Sequence, residues 1–146
     1  MSLKYELKQN KVIVGSKDSS GTITRSTLTG TASDNRGYLY GTGLMYKMDI
    51  MFSYTTGSGE TNNTLNIIVE QSPDNTNWYK IPNESVSSGT STLDDRTFSY
   101  ASNTGGGTTS NGSIGLDIFY ENIRVSFTES GVVTNAGSVY SEVNLF

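Results

Sequence analysis

Short stretches in which apolar and polar side chains alternate recur along this 146-residue chain, separated by Gly, Ser, Thr, Asn and Asp. In an extended strand successive side chains point to opposite faces, so a period of two predicts half-buried β-strands joined by tight turns. Leu3, Tyr5 and Leu7 fall on one side of a first strand, and Lys4, Glu6 and Lys8 on the other. Val12, Ile13 and Val14 make a short piece ending at Gly15, and residues 22–29 (TITRSTLT) alternate weakly, as a polar edge strand would. The longest run places Leu44, Tyr46, Met48, Ile50, Phe52 and Tyr54 across from Met45, Lys47, Asp49, Met51 and Ser53, predicting a long central strand.

Leu65, Ile67 and Val69 share the inward face of the next segment, TLNIIVEQS. The chain then reverses through SPDNTN and returns as WYKI. Pro73 presets φ for that turn and Asp74 and Asn75 tolerate its bend, which makes this the strongest hairpin signal in the chain. Phe98 and Tyr100 mark a short strand, and NTGGGTTSNG (residues 103–112) reads as a loop of maximal backbone freedom. Three further strands follow, carrying Ile114, Leu116 and Ile118, then Ile123, Val125 and Phe127, then Val139, Ser141, Val143 and Leu145. No helical period is visible. About eight strands of uneven length predict an all-β protein: one domain over residues 1–146, a two-sheet antiparallel β-sandwich of jelly-roll type. Residues 1–15 would form an N-terminal arm or an edge strand.

Composition sharpens this picture. Hydrophobic residues make up 34% and charged residues 16%. A chain of this length buries roughly 68–70% of the surface exposed when unfolded, enough for a core without disulfides or metal. The absence of both His and Cys removes the usual base of a nucleophilic triad and the usual transition-metal ligands. Asp94 and Asp95 are adjacent, so in a strand they would face opposite ways and could not flank a glycosidic bond. The glycine-containing stretches lack a following GK[ST] and a helix, so they do not form a phosphate cradle. Asp74, Asn75 and Asn77, or Asp18 and Asp34, could supply part of a Ca²⁺ shell, but turn formation explains them and no calcium-loop spacing is present. No catalytic residue, cofactor or metal is expected.

Net charge is −4 and the basic residues are scattered. Only Lys4, Lys8 and Lys11 cluster, in the manner of a solvated edge strand, which argues against nucleic-acid binding. No segment approaches the ~18 apolar residues of a membrane-spanning helix, and none has the apolar region of a leader peptide.

Nine Tyr against five Phe and one Trp favour amphipathic contact surfaces. Tyr38, Tyr40, Tyr79 and Tyr120 are candidate interface residues, for protein or for sugar. Tyr5 from the N-terminal segment and Asn103 and Asn111 from the glycine-rich stretch at 103–113 are candidates to reach neighbouring subunits. Trp78 is expected to pack partly into the sandwich at the base of the hairpin, where truncation to Ala would cost ~3–5 kcal/mol.

The segment TLNIIVEQSPDNTNWYKIPN (Thr64 to Asn83) resembles a hairpin of tailed-bacteriophage virion proteins, with its V-x-x-S-x-D-x-x-x-W core. The closing stretch FYENIRVSFTESGVVTNAGSVYSEVNLF (Phe119 to Phe146) is similar too, and the two together span about a third of the chain. The resemblance implies a jelly-roll structural domain of a head decoration (cement) or auxiliary capsid protein. It carries Asp74, Trp78 and the strand around Arg124 as structural positions and no catalytic residues. It further implies a place on the virion capsid surface, partners among the major capsid protein or other virion proteins, and a homotrimer. The alternative is a carbohydrate-binding or receptor-binding module of a phage tail or fibre, in which exposed aromatics stack on sugar rings.

Overall fold

A computed structural model of the chain describes residues 9–42, 45–60, 63–80, 82–87, 90–95, 97–101, 106–130 and 134–146. Its strands are β1 (Gln9–Val14), β2 (Ser16–Lys17), β3 (Ile23–Thr24), β4 (Ser26–Thr27), β5 (Arg36–Leu39), β6 (Lys47–Thr55), β7 (Thr64–Ser72), β8 (Tyr79–Lys80), β9 (Pro82–Ser87), β10 (Thr90–Asp95), β11 (Thr97–Ala101), β12 (Thr109–Asp117), β13 (Asn122–Ser130) and β14 (Ser138–Leu145). The one helical element among the described residues is a 3₁₀ turn, Ala32–Asn35.

Two antiparallel sheets face each other. The first runs β1-β14-β6-β12, with β4 paired to the start of β14. The second runs β11-β7-β13-β5, with β8 continuing along β7 beyond β11. The chain is thus an all-β sandwich. Alternation sets the phase of each strand: Met48, Ile50, Phe52 and Tyr54 of β6 and Val139, Val143 and Leu145 of β14 point inward from one sheet. Leu65, Ile67 and Val69 of β7 meet them from the other sheet, with Ile123, Val125 and Phe127 of β13. All belong to one continuous core.

The sheets close on each other where β1 meets β5. A Cβ on Gly37 would overlap Ile13, so only glycine allows the two strands this separation. Lys11 Nζ donates to the Tyr38 carbonyl at 2.7 Å across the same seam. A bulge between Val12 and Val14 turns Val14 into the core. At one end of the sandwich the buried Tyr54 hydroxyl donates to Glu129, joining the sheets. Burial, then Glu129, pushes that hydroxyl's pKa well up. Glu129 also accepts from Gly137 N at 2.8 Å, and Glu60 accepts from Thr134 N at 2.7 Å and Asn135 N at 2.6 Å. These carboxylates tie down the approach to β14.

Several expectations change. The central strand begins at Lys47 rather than at residue 44, because Met45 N bonds back to Thr42 O in a tight turn. Met45 is therefore buried and Tyr46 exposed, the reverse of the extrapolated alternation. The stretch at 103–113 is not loop throughout: its second half is β12, which pairs with β6 from Thr109 onward. Gly112 is required there because a Cβ would overlap the Phe52 ring. Residues 22–29 split into β3 and β4 around Arg25, whose Nη2 donates to Ser53 at 2.7 Å. The hairpin β9–β10 had no clear apolar signal, and Asp94 and Asp95 lie within it. The strand expected at residues 3–8, with Tyr5, lies outside the described residues.

Ile50, fully enclosed between the sheets, is the sharpest test of this packing. Ile50→Ala is expected to lower unfolding free energy by about 2–5 kcal/mol in a urea titration. Ser113→Ala, on the exposed face of β12, should change it by less than about 0.5 kcal/mol.

Candidate interaction site

Because neighbouring strands are antiparallel, β5, β7, β12 and β14 all end, and β6, β8 and β13 all begin, at the same end of the sandwich. The large apolar side chains that remain exposed among the described residues are Tyr40, Tyr46, Tyr79, Phe119, Tyr120 and Phe146, and every one lies at that end. Tyr46 is 78% exposed and Phe119 69%. A groove of about 640 Å³ runs between Phe119 and Phe146 over Lys47, Leu116 and Asp117. A second, of about 370 Å³, lies between Tyr46, Phe119, Tyr120 and Pro73.

These aromatics sit on backbone held by buried polar groups. Gln71 is the inward residue that follows Val69 on β7, and it is 2% exposed. Its Oε1 accepts from Phe119 N at 2.7 Å and Tyr120 N at 3.1 Å, while its Nε2 donates to Asp117 O at 3.2 Å. Thr42, also buried, donates through Oγ1 to the carbonyls of Tyr120 and Glu121 at 3.0 and 2.9 Å. Tyr46 is fixed by its own N–H to Phe146 O at 2.7 Å and by Ile118 N to its carbonyl at 2.8 Å. The loops are locked.

The outer face of the second sheet continues this surface. Lys80, Glu70, Arg124 and Tyr38 form one cross-strand row. Arg124 grips Glu70 through two bonds, at 2.6 and 2.9 Å, and lies 4.5 Å over the Trp78 ring. Glu70, then Tyr38, holds the guanidinium charged against the cost of its burial. Trp78 meets Tyr38 edge-on at 5.9 Å, and Tyr38 stacks on Tyr40 at 5.9 Å. Trp78 therefore packs on the outside of the sandwich and not into its core, which corrects the expectation from sequence. The reason is local: Trp78 precedes the two-residue strand β8, and its ring lies against Arg124 and Tyr38 on the outer face of the second sheet.

The hairpin behind Trp78 is built around Asp74. Its Oδ1 accepts from Asn77 N at 2.7 Å, Thr76 N at 2.9 Å and Ser72 Oγ at 3.0 Å, and its Oδ2 from Asn77 Nδ2 at 2.6 Å. Asn75 takes the left-handed φ of 59° that the reversal requires. Asp18 holds another turn through Ser20 N and Thr22 N, and Asp34 accepts from Thr29 Oγ1. These acids serve turns. Among the described residues, no group of three or more His, Cys, Asp or Glu side chains is placed to hold a metal ion.

Of the residues singled out from sequence, Tyr38 and Tyr40 form one pair and Tyr79 and Tyr120 another, the latter with rings 6.3 Å apart. Asn111 lies elsewhere, exposed on β12, and Tyr5 and Asn103 fall outside the described residues. Tyr46 falls inside an alternating run, and Phe119 and Phe146 directly follow others, so alternation alone does not mark them as surface residues. Consecutive aromatics before a Glu-Asn turn, as in Phe119-Tyr120-Glu121-Asn122, are the signal that could have found two of the site's residues. Comparison with protein-family models, curated proteins and solved structures returns no match for this chain.

Gln71→Leu is expected to strand the N–H groups of Phe119 and Tyr120 and lower stability by about 1–3 kcal/mol in chemical denaturation. Asp74 gives a pH signature. The N–H groups of Asn77 and Thr76 hold its carboxyl well below the usual range. Its stabilising effect is complete above the unfolded pKa of about 3.9 and fades as pH falls below that value toward the folded one. In an acid titration followed by Trp78 fluorescence, wild type should lose stability below about pH 4 more steeply than Asp74→Asn. Superimposable curves would contradict this role.

Proposed function

We propose that the protein is a non-enzymatic structural component of a tailed-bacteriophage virion, seated on the capsid surface as a decoration or auxiliary capsid protein through its aromatic end. One observation carries the reading: among the described residues, every large apolar side chain left exposed lies at this end, and the backbone under Phe119 and Tyr120 is already fixed by Gln71 and Thr42. Interface cores are enriched in Tyr, Phe and Trp, and a surface ordered before binding loses less entropy on docking. The low charge of the chain suits broad contacts repeated over a lattice, where many weak sites add up.

Two further points support it. The segments that resemble phage virion proteins supply Trp78, Tyr79, Phe119, Tyr120 and Phe146 to this end. Counting the eight principal strands β1, β5, β6, β7, β11, β12, β13 and β14 in chain order, one sheet reads first-eighth-third-sixth and the other fifth-fourth-seventh-second. This order fits the jelly roll of two Greek keys that the resemblance implies. The second reading, a glycan-binding module, draws on the flat Tyr38–Tyr40 stack beside Arg124.

The test is co-sedimentation with phage heads assembled without this protein, alongside a glycan array. Wild type is expected to bind the heads, and Tyr46→Ser/Phe119→Ser to weaken that binding by about 30-fold or more, as loss of central aromatic anchors does. Saturable glycan binding without head binding would replace this reading with the second.

A further inference from the structure

Sheet edges invite pairing with other chains, and most edges of this sandwich are blunted. β1 carries Lys11 and a bulge, β5 spans only Arg36–Leu39, and β11 only Thr97–Ala101. β12 differs. It runs nine residues, Thr109–Asp117, with no Lys, Arg or Pro, and among the described strands it pairs only with β6. Asn111, Ser113 and Gly115 are exposed, and its inward Ile114 and Leu116 are covered only in part.

Hydrogen-bond parity shows which backbone groups are open. Thr56 N donates to Thr108 O at 3.2 Å and Ile118 N to Tyr46 O at 2.8 Å, so both ends of the ladder turn their even-numbered residues toward β6. The register between them is unbroken. By the alternation of an antiparallel ladder, Thr109, Asn111, Ser113, Gly115 and Asp117 direct their N–H and C=O groups to the free edge.

We propose that β12 is a self-pairing edge, which binds β12 of a second copy antiparallel about a two-fold axis at Ser113. This register places Ser113 against Ser113 of the second copy, Asn111 against Gly115, and Thr109 against Asp117. All are edge-facing residues, so each can exchange both backbone bonds with its opposite. On the inward side Ile114 falls opposite Gly112, and Leu116 opposite Ser110. Each large side chain meets a small one, and no two carboxylates are apposed. The strand is complementary to itself in shape, charge and hydrogen-bond phase, as an isologous contact requires. Pairing would finish the covering of Ile114 and Leu116 and join two sandwiches through one continuous sheet. The contact runs along the side of the sandwich and adjoins the aromatic end only at Leu116 and Asp117, beside the groove between Phe119 and Phe146.

Mass in solution, measured by light scattering over a concentration series, tests this. Wild type is expected to approach twice the 15.8 kDa chain mass. A monomer at every concentration, or a trimer, overturns the proposal. Ser113→Lys sets two like charges directly opposite and should yield a monomer with unchanged circular dichroism; persistence of the dimer overturns the proposal. Because the chain has no cysteine, Ser113→Cys reports geometry. Opposed Cα atoms about 5.5 Å apart lie within disulfide range, so mild oxidation should cross-link this variant. Asn111→Cys, displaced in register from its own copy, should not cross-link, and equal cross-linking of both would sink the two-fold register. Tyr46→Ser/Phe119→Ser should remain dimeric, which separates failure here from failure of the capsid-binding reading.

Discussion

The face-to-face burial of two pleated sheets governs the rest of the molecule. Without disulfides, the chain is held by inward rows such as Met48-Ile50-Phe52 on β6, Leu65-Ile67-Val69 on β7 and Ile123-Val125-Phe127 on β13. Alternation leaves no freedom in phase, since a slip of one residue would turn each of these rows to solvent. Where the apolar rows run out, the next inward position is polar: Gln71 after Val69, Tyr54 after Phe52, Glu129 after Phe127. Each polar residue reaches out of the core to grip backbone or a partner at an end of the sandwich. The core therefore extends its rigidity to the loops.

That coupling explains how exposed aromatics can coexist with a well-ordered surface. Phe119 and Tyr120 stand in solvent while their amides bond to a side chain 2% exposed. Large apolar patches on a folded protein mark places where another surface fits. With the aromatics gathered at one end, and the edge of β12 running along the side to meet that end only near Asp117, the sandwich would have two ways to associate. One would face a partner of different shape and the other a copy of itself.

Much of the fold could be read from residues alone because period two is a strong signal when long. β7, β13 and β14 follow their apolar rows closely, and the Pro73-Asp74-Asn75 reversal carries its own turn chemistry. Reading failed where tertiary contact overrides pattern. Tyr46 continues the alternation of β6, but Met45 N bonds back to Thr42 O, and the apolar run hides the break that Gly41 and Gly43 on either side of Thr42 announce. Residues 109–113 look like loop because Ser, Asn and Gly have weak strand preference. They are strand because β6 extends beside them and Phe52 fills the space over Gly112. Half of the exposed aromatics are legible as tyrosines; their gathering at one end is not, since that depends on which strands are neighbours.

The central claim is that the aromatic end is a surface made to be covered by protein. Hydroxyl-radical footprinting of the protein, free and bound to phage heads that lack it, addresses this directly. Tyr46, Phe119, Tyr120 and Phe146 are expected to be oxidised readily when free and strongly protected when bound, while Ile23, beside Met51 and Ser53 on the first sheet and away from the aromatic end, changes little. Bound protein in which those four aromatics oxidise as fast as in the free form would contradict the account.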